Sequence, residues 1–108
     1  MVARMWRATA TEAGARLYEQ HFRGHVLPSL RTLNGYAGGV LLKTPSEQHV
    51  ELLVISFWAS ESAIRAFAGS DVRRAVVAEE ASRVLETYEE SVTHFSVETS
   101  DRLEFGGD

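Results

Sequence analysis

An α+β fold, a single antiparallel sheet carrying its helices on one face, follows from three features of this 108-residue sequence. The first is the run from His49 to Trp58, rich in β-branched and aromatic residues and suited to a strand. The second is a helical stripe at 3.6-residue spacing, formed by Ala15, Tyr18, Phe22, Val26, Leu30 and Leu33. The third is the order of the elements, β-α-β-β-α-β, which is the split βαβ or ferredoxin-like arrangement.

The chain opens with a strand, Val2 to Thr9, with Val2, Arg4, Trp6 and Ala8 on one face. A helix follows from about Thr11 to Leu33, with Thr9 or Thr11 as N-cap and Glu12 near the positive end of its dipole. Pro28 denies a hydrogen bond to the Gly24 carbonyl, so a bend or break is expected between them. Asn34-Gly35 supplies the positive φ that ends the helix. Tyr36 to Lys43 reads as the second strand, with a bulge at Gly38-Gly39, and Thr44 to Gln48 as the turn into the His49–Trp58 strand.

Ser60 caps a second helix that buries Ala63, Ile64, Phe67 and Ala68 and stops at Gly69. A further helical segment is expected from Ser70 or Asp71, burying Val72, Ala75 and Val76, with another turn around Ala81, Val84 and Leu85. Ser91 to Glu98 is the last clear strand, and Asp101 to Phe105 leaves room for a short edge strand. The organisation expected is one domain over residues 1–98 and a C-terminal tail over 99–108.

Composition narrows the function classes. Eleven basic against fifteen acidic residues give a net charge of -4, which argues against a nucleic-acid partner. No cysteine is present, so disulfides and thiolate metal sites play no part, and a cytoplasmic location is expected. No apolar run reaches the roughly 20 residues of a membrane span, and no signal-peptide pattern opens the chain. No second His or carboxylate at ligand spacing from His94 suggests a metal, and none is expected. There is no P-loop, nucleophile elbow or dinucleotide fingerprint.

The strand from His49 to Trp58 is apolar on both faces: Val50, Leu52, Val54 and Trp58 point one way, Leu53, Ile55 and Phe57 the other. Two main helices cover one face only. The simplest cover for the other is a second copy of the same sheet, so a homodimer with facing sheets is expected.

Several segments resemble the antibiotic biosynthesis monooxygenase-like family of the dimeric α/β-barrel superfamily. They are Met1 to Ala8, Asn34 to Gly38, Ile55 to Ser60 leading into Ala63 to Gly69, and Val92 to Val97. The Phe57-Trp58-x-Ser60 segment running to Ala63 is the most specific of them. The resemblance covers residues 2 to 97 and implies the fold more strongly than any one activity. It implies a cofactor-independent oxygenase that deprotonates a small aromatic or polyketide-type substrate and lets the anion react with oxygen directly. It also admits a non-catalytic dimeric small-molecule-binding or stress-response protein, or a purely structural partner in a larger assembly.

Heme-degrading relatives within the resemblance carry an Asn on the first strand, a Trp on the second main helix and a heme-ligating His. The matching positions here are Trp6, Phe67 and Val77, and all three depart from that pattern.

In this family the substrate slot lies between sheet and helices. The resemblance places Arg4 and Trp6, Tyr18, Phe22 and His25, and Phe67 around it, with Tyr36 at its mouth. His25 is the preferred base, because a neutral imidazole accepts a proton near pH 7, and Arg4 the preferred anion stabiliser. Each residue also has a plainer reading. The aromatics fit core packing, and His25 fits a hydrogen bond to a carbonyl freed by Pro28. His21 fits a solvated flank and His94 a satisfied interface. Arg4 and Arg7 fit pairing with acidic residues near the last strand, and Glu79-Glu80 and Glu89-Glu90 fit solvated faces.

Overall fold

The computed structural model describes residues 1–103. Strand β1 (Val2–Ala10) leads into helix α1 (Glu12–His21), a π-helical turn (Phe22–Val26) and helix α2 (Leu27–Leu30). Strands β2 (Tyr36–Pro45) and β3 (Val50–Trp58) form a hairpin. Helices α3 (Glu61–Ala68) and α4 (Glu79–Val84) and the short strands β4 (Thr87–Tyr88) and β5 (Thr93–Ser96) complete the order. The sheet runs β2-β3-β1, and the far edge of β1 carries both β5 and β4, all antiparallel.

Local chemistry accounts for the boundaries. Thr11 Oγ1 accepts from the Gly14 amide at 3.0 Å and opens α1; Ser60 Oγ does the same for Ala63 and opens α3. Gly69, at φ +86°, closes α3. The bend or break expected between Gly24 and Pro28 takes the form of a widened turn over Phe22–Val26. Leu27 N–H donates to the Phe22 carbonyl, an i to i−5 bond, just before the residue that has no N–H to give. The helix therefore continues to Leu30, and His21 and His25 both reach the same cavity as Tyr18.

Gly35 lies between α2 and β2 at φ +88°, and its carbonyl accepts from the Ala59 amide at 2.7 Å. A Cβ there would stand 2.5 Å from the Cβ of Ala63. Gly35→Ala combines backbone strain with a clash and should cost about 1–3 kcal/mol. The expected result is a lower urea midpoint with an unchanged slope.

Three expectations depart from the structure. Residues 70–78 form no helix; they run as an irregular strap pinned by an Arg74–Ser91 bridge, and Val76 is exposed. The carbonyls of Val72 and Arg74 accept from the Arg4 guanidinium instead of from helical amides. The last strand is shorter than Ser91 to Glu98, covering only Thr93–Ser96, with Thr87–Tyr88 as a separate piece. Of the edge strand expected over Asp101 to Phe105, residues 101–103 form no strand, and Glu104 and Phe105 lie outside the described residues.

Even-numbered residues of β1 and β3 face the helices and build two apolar clusters. One gathers Trp6, Ala8, Tyr18, Phe22, Val50 and Leu52; the other is centred on Leu30, Trp58 and Ile64. The odd-numbered face carries Ala3, Met5, Leu53, Ile55, Phe57 and the half-exposed Phe95, with no helix of the described residues over it.

Candidate functional site

Where the two clusters meet, the sheet carries a row of polar side chains. Ser56 on β3, Arg4 on β1 and His94 on β5 are register partners across three strands. Above this row, between sheet, helix and strap, lies a cavity of about 290 Å³. Trp6 and Val54 continue its floor, Tyr18, His21 and His25 form the helix wall, and Phe67, Val76 and Val77 close the far side.

Arg4 is buried at 5% exposure. Its Nη1 donates to the Val72 carbonyl and, at 3.0 Å, to His94 Nε2, while Nη2 donates to the Arg74 carbonyl at 2.8 Å. Its guanidinium carbon sits 5.6 Å from the Phe67 ring centre. Burial lowers its pKa to about 10, so it stays charged at neutral pH. A guanidinium has five N–H donors; three are used here, leaving others for a ligand in the cavity. Among the described residues, Arg4 makes no pair with an acidic side chain.

Tyr18 packs between Trp6 and Phe22, with ring centres at 5.8 and 6.3 Å. Burial pushes its hydroxyl pKa up, so it is a donor at any physiological pH. That hydroxyl bonds to none of the described residues, yet it is not an orphaned buried atom, so it opens onto the cavity. Trp6 Nε1 donates to the Glu89 carbonyl at 2.8 Å, which fixes the indole. His25 is exposed, lies at the mouth with its ring 5.5 Å from that of His21, and bonds to none of the described residues.

Arg4, Trp6, Tyr18, His25 and Phe67 thus share one cavity. Phe22 and Tyr36 are elsewhere. Phe22 is core on one side and lines an outer groove with Leu27 and Leu41 on the other. Tyr36 packs edge-on against Trp58 at 5.4 Å, its ring outside the cavity. Ser56, His21, Ser29 and Glu80 also line the cavity and were not anticipated. Ser56 left a signal, being the one polar residue on the inward parity of β3. Trp6, Phe67 and Val77, the positions matched to Asn, Trp and His of the heme degraders, all face this cavity. Valine cannot ligate iron, so the donor set does not fit heme in that arrangement. Among the described residues no group of three His, Cys, Asp or Glu could hold a metal ion.

A one-sided α+β sheet with a cavity of about 290 Å³ between its layers defines the class of domain. The family model for antibiotic biosynthesis monooxygenase matches residues 1–79, and the chain belongs to that family. Among solved structures, a candidate antibiotic biosynthesis monooxygenase from Bacillus cereus superposes with a TM-score of 0.68 at 16% identity, covering 97% of this chain and 98% of its own. The monooxygenase from the gene ActVA-Orf6 of Streptomyces coelicolor, in complex with nanaomycin D, gives 0.67 at 14% identity over 95% and 92%. The heme-degrader MhuD of Mycobacterium tuberculosis, with two hemes bound in its active site, gives 0.63 at 22% identity over 94% and 100%. These likenesses establish the fold. No curated protein sequence matches the chain. No helix among the described residues is long and apolar enough to cross a membrane.

Proposed function

We propose that the chain is a cofactor-independent oxygenase acting on a small aromatic or polyketide-type phenol. The observation that carries this reading is the buried cation beneath an apolar, aromatic-walled cavity, with an imidazole at its mouth. His25 takes a proton from an acidic ring CH₂ of the substrate. Arg4 and the Tyr18 hydroxyl stabilise the oxyanion into which that charge delocalises. The carbon's electron pair reduces O₂ as the C–O bond forms, and the peroxide takes the proton back from His25. Loss of the second C–H proton with cleavage of the O–O bond leaves a carbonyl and water, so CH₂ and O₂ become C=O and H₂O.

The cavity volume falls at the small end of ligand pockets, about 300–1,000 Å³, which suits two or three fused rings. Oxygen uptake with dithranol, an anthrone-type phenol, tests the reading. His25→Ala should lower the rate about a hundredfold or more with the far-UV spectrum unchanged; an unaltered rate removes His25 from the chemistry.

A second reading, saturable binding without turnover, is favoured by one feature. His25 has no hydrogen-bonded partner to orient it as a base among the described residues. Saturable dithranol binding with no oxygen consumed would select it.

The uncovered sheet face supports a homodimer in which two sheets stack. The cysteine-free sequence is compatible with work in the cytoplasm.

A further inference from the structure

The strap over residues 69–78 supplies Val76, Val77 and Ala78 to the cavity wall but has no regular structure of its own. Two sets of bonds hold it. One joins it to the neighbouring segment, through Ala75 N–H to the Glu90 carbonyl and Val92 N–H to the Arg73 carbonyl. The other is the Arg4 guanidinium, which grips the Val72 and Arg74 carbonyls from below. Arg4 is aimed by a third contact. A guanidinium has no acceptor, so His94 Nε2 must be the lone-pair partner, which fixes His94 as the neutral tautomer protonated at Nδ1.

We infer that His94 is a positioning residue for Arg4, and that protonating it frees the guanidinium and releases the strap that walls the cavity. A protonated imidazole offers Nε2 only as a donor, and it sets two cations 3.0 Å apart. The charged groups facing His94 are Arg4 on β1, Arg73 on the strap and Glu61 on α3. Burial first, then Arg4 and Arg73, hold its pKa below the ordinary 6.5, with Glu61 opposing them. The closed strap therefore favours neutral His94. Its contribution is complete above pH about 6.5 and is lost as pH falls toward the depressed value. The device rests on the proposed oxygenase only for its consequence, a cavity that loosens in mild acid; its physics needs no ligand.

Hydrogen exchange of the full chain, corrected for intrinsic amide chemistry, tests it by comparing the Ala75 and Val92 amides with those of β1 and β3. Between about pH 7.5 and 5.5, strap protection should fall by up to about tenfold while the sheet amides hold. In His94→Gln, Oε1 replaces Nε2 as acceptor without titrating, so the strap should stay protected at both values. A strap indifferent to pH in the wild type, or the same pH dependence in the variant, overturns the inference. If the variant does not fold, ¹⁵N NMR of the wild-type imidazole decides: an Nδ1–H tautomer at neutral pH supports it and an Nε2–H tautomer overturns it. Failed oxygen uptake with dithranol leaves these readings untouched, and their failure leaves the oxygenase reading in place.

Discussion

Trp58→Ala should remove about 3–5 kcal/mol of stability, against a total of about 5–15 kcal/mol for a domain of this kind. The indole has no exposed surface. It stacks on Phe67 with ring centres 5.6 Å apart and takes the edge of Tyr36 at 5.4 Å. Its Nε1 donates to Ser56 Oγ at 2.9 Å, so truncation also leaves a buried hydroxyl without its donor. Helix α3 and the turn before β2 both rest on this one side chain, and neither can collapse into the void without disturbing the other. The melting temperature followed by circular dichroism should drop by at least about 12 °C. A smaller shift would mean that α3 is held mainly from elsewhere.

Trp58 was visible in the sequence because local and global signals agree there. It ends a strand that is apolar on both faces and precedes a Ser cap, so it sits in apolar surroundings at the junction of the strand and the second helix. The strap shows the opposite case. Val72, Ala75 and Val76 were expected on a helix, yet the carbonyls such a helix needs are captured by Arg4, 68 and 70 positions away in the chain. Periodicity within a short window cannot contain a partner at that distance. The same holds for the last strand, where the Arg74–Ser91 bridge takes a residue expected to begin that strand.

The site divides in a similar way. Arg4, Trp6, Tyr18, His25 and Phe67 were placed around one slot, and they meet around one cavity. Phe22 and Tyr36 were placed there too, Phe22 on a stripe that does not say which of its members touch void and which touch atoms, and Tyr36 by the resemblance alone. Phe22 stacks on Tyr18 and is screened by it; Tyr36 opens β2 just before the register shift that ends at Gly38 and is pinned by Trp58. Ser56 was legible and overlooked. A serine between Val54 and Trp58 on the buried face needs a buried partner, and the indole donor and the neighbouring guanidinium row supply the polar setting. Two members of the row that splits the core, Arg4 and Ser56, lie in the floor of the site.

Ile55→Glu should convert the proposed homodimer to a monomer. Ile55 lies opposite Met5 and Val40 at the centre of the uncovered face, with Phe57 two residues along the same strand. Two such faces would stack about 10 Å apart with their side chains interleaved. A two-fold contact brings each substitution in twice, so two carboxylates would enter one apolar layer with no cation among Met5, Val40 and Phe57 to meet them. Desolvating an unpaired charge costs several kcal/mol per ion, and even about 4 kcal/mol in total weakens association about a thousandfold. In the monomer the same glutamate faces water and disturbs nothing beneath the sheet. Light scattering at about 10 μM should therefore give half the wild-type mass, with an unchanged far-UV spectrum. A wild type already monomeric, or a variant that remains a dimer, would show that this face is covered in some other way. If the variant instead binds dithranol as the wild type does, each subunit's cavity is complete on its own, which is what the placement of Arg4, Tyr18 and His25 within one chain requires.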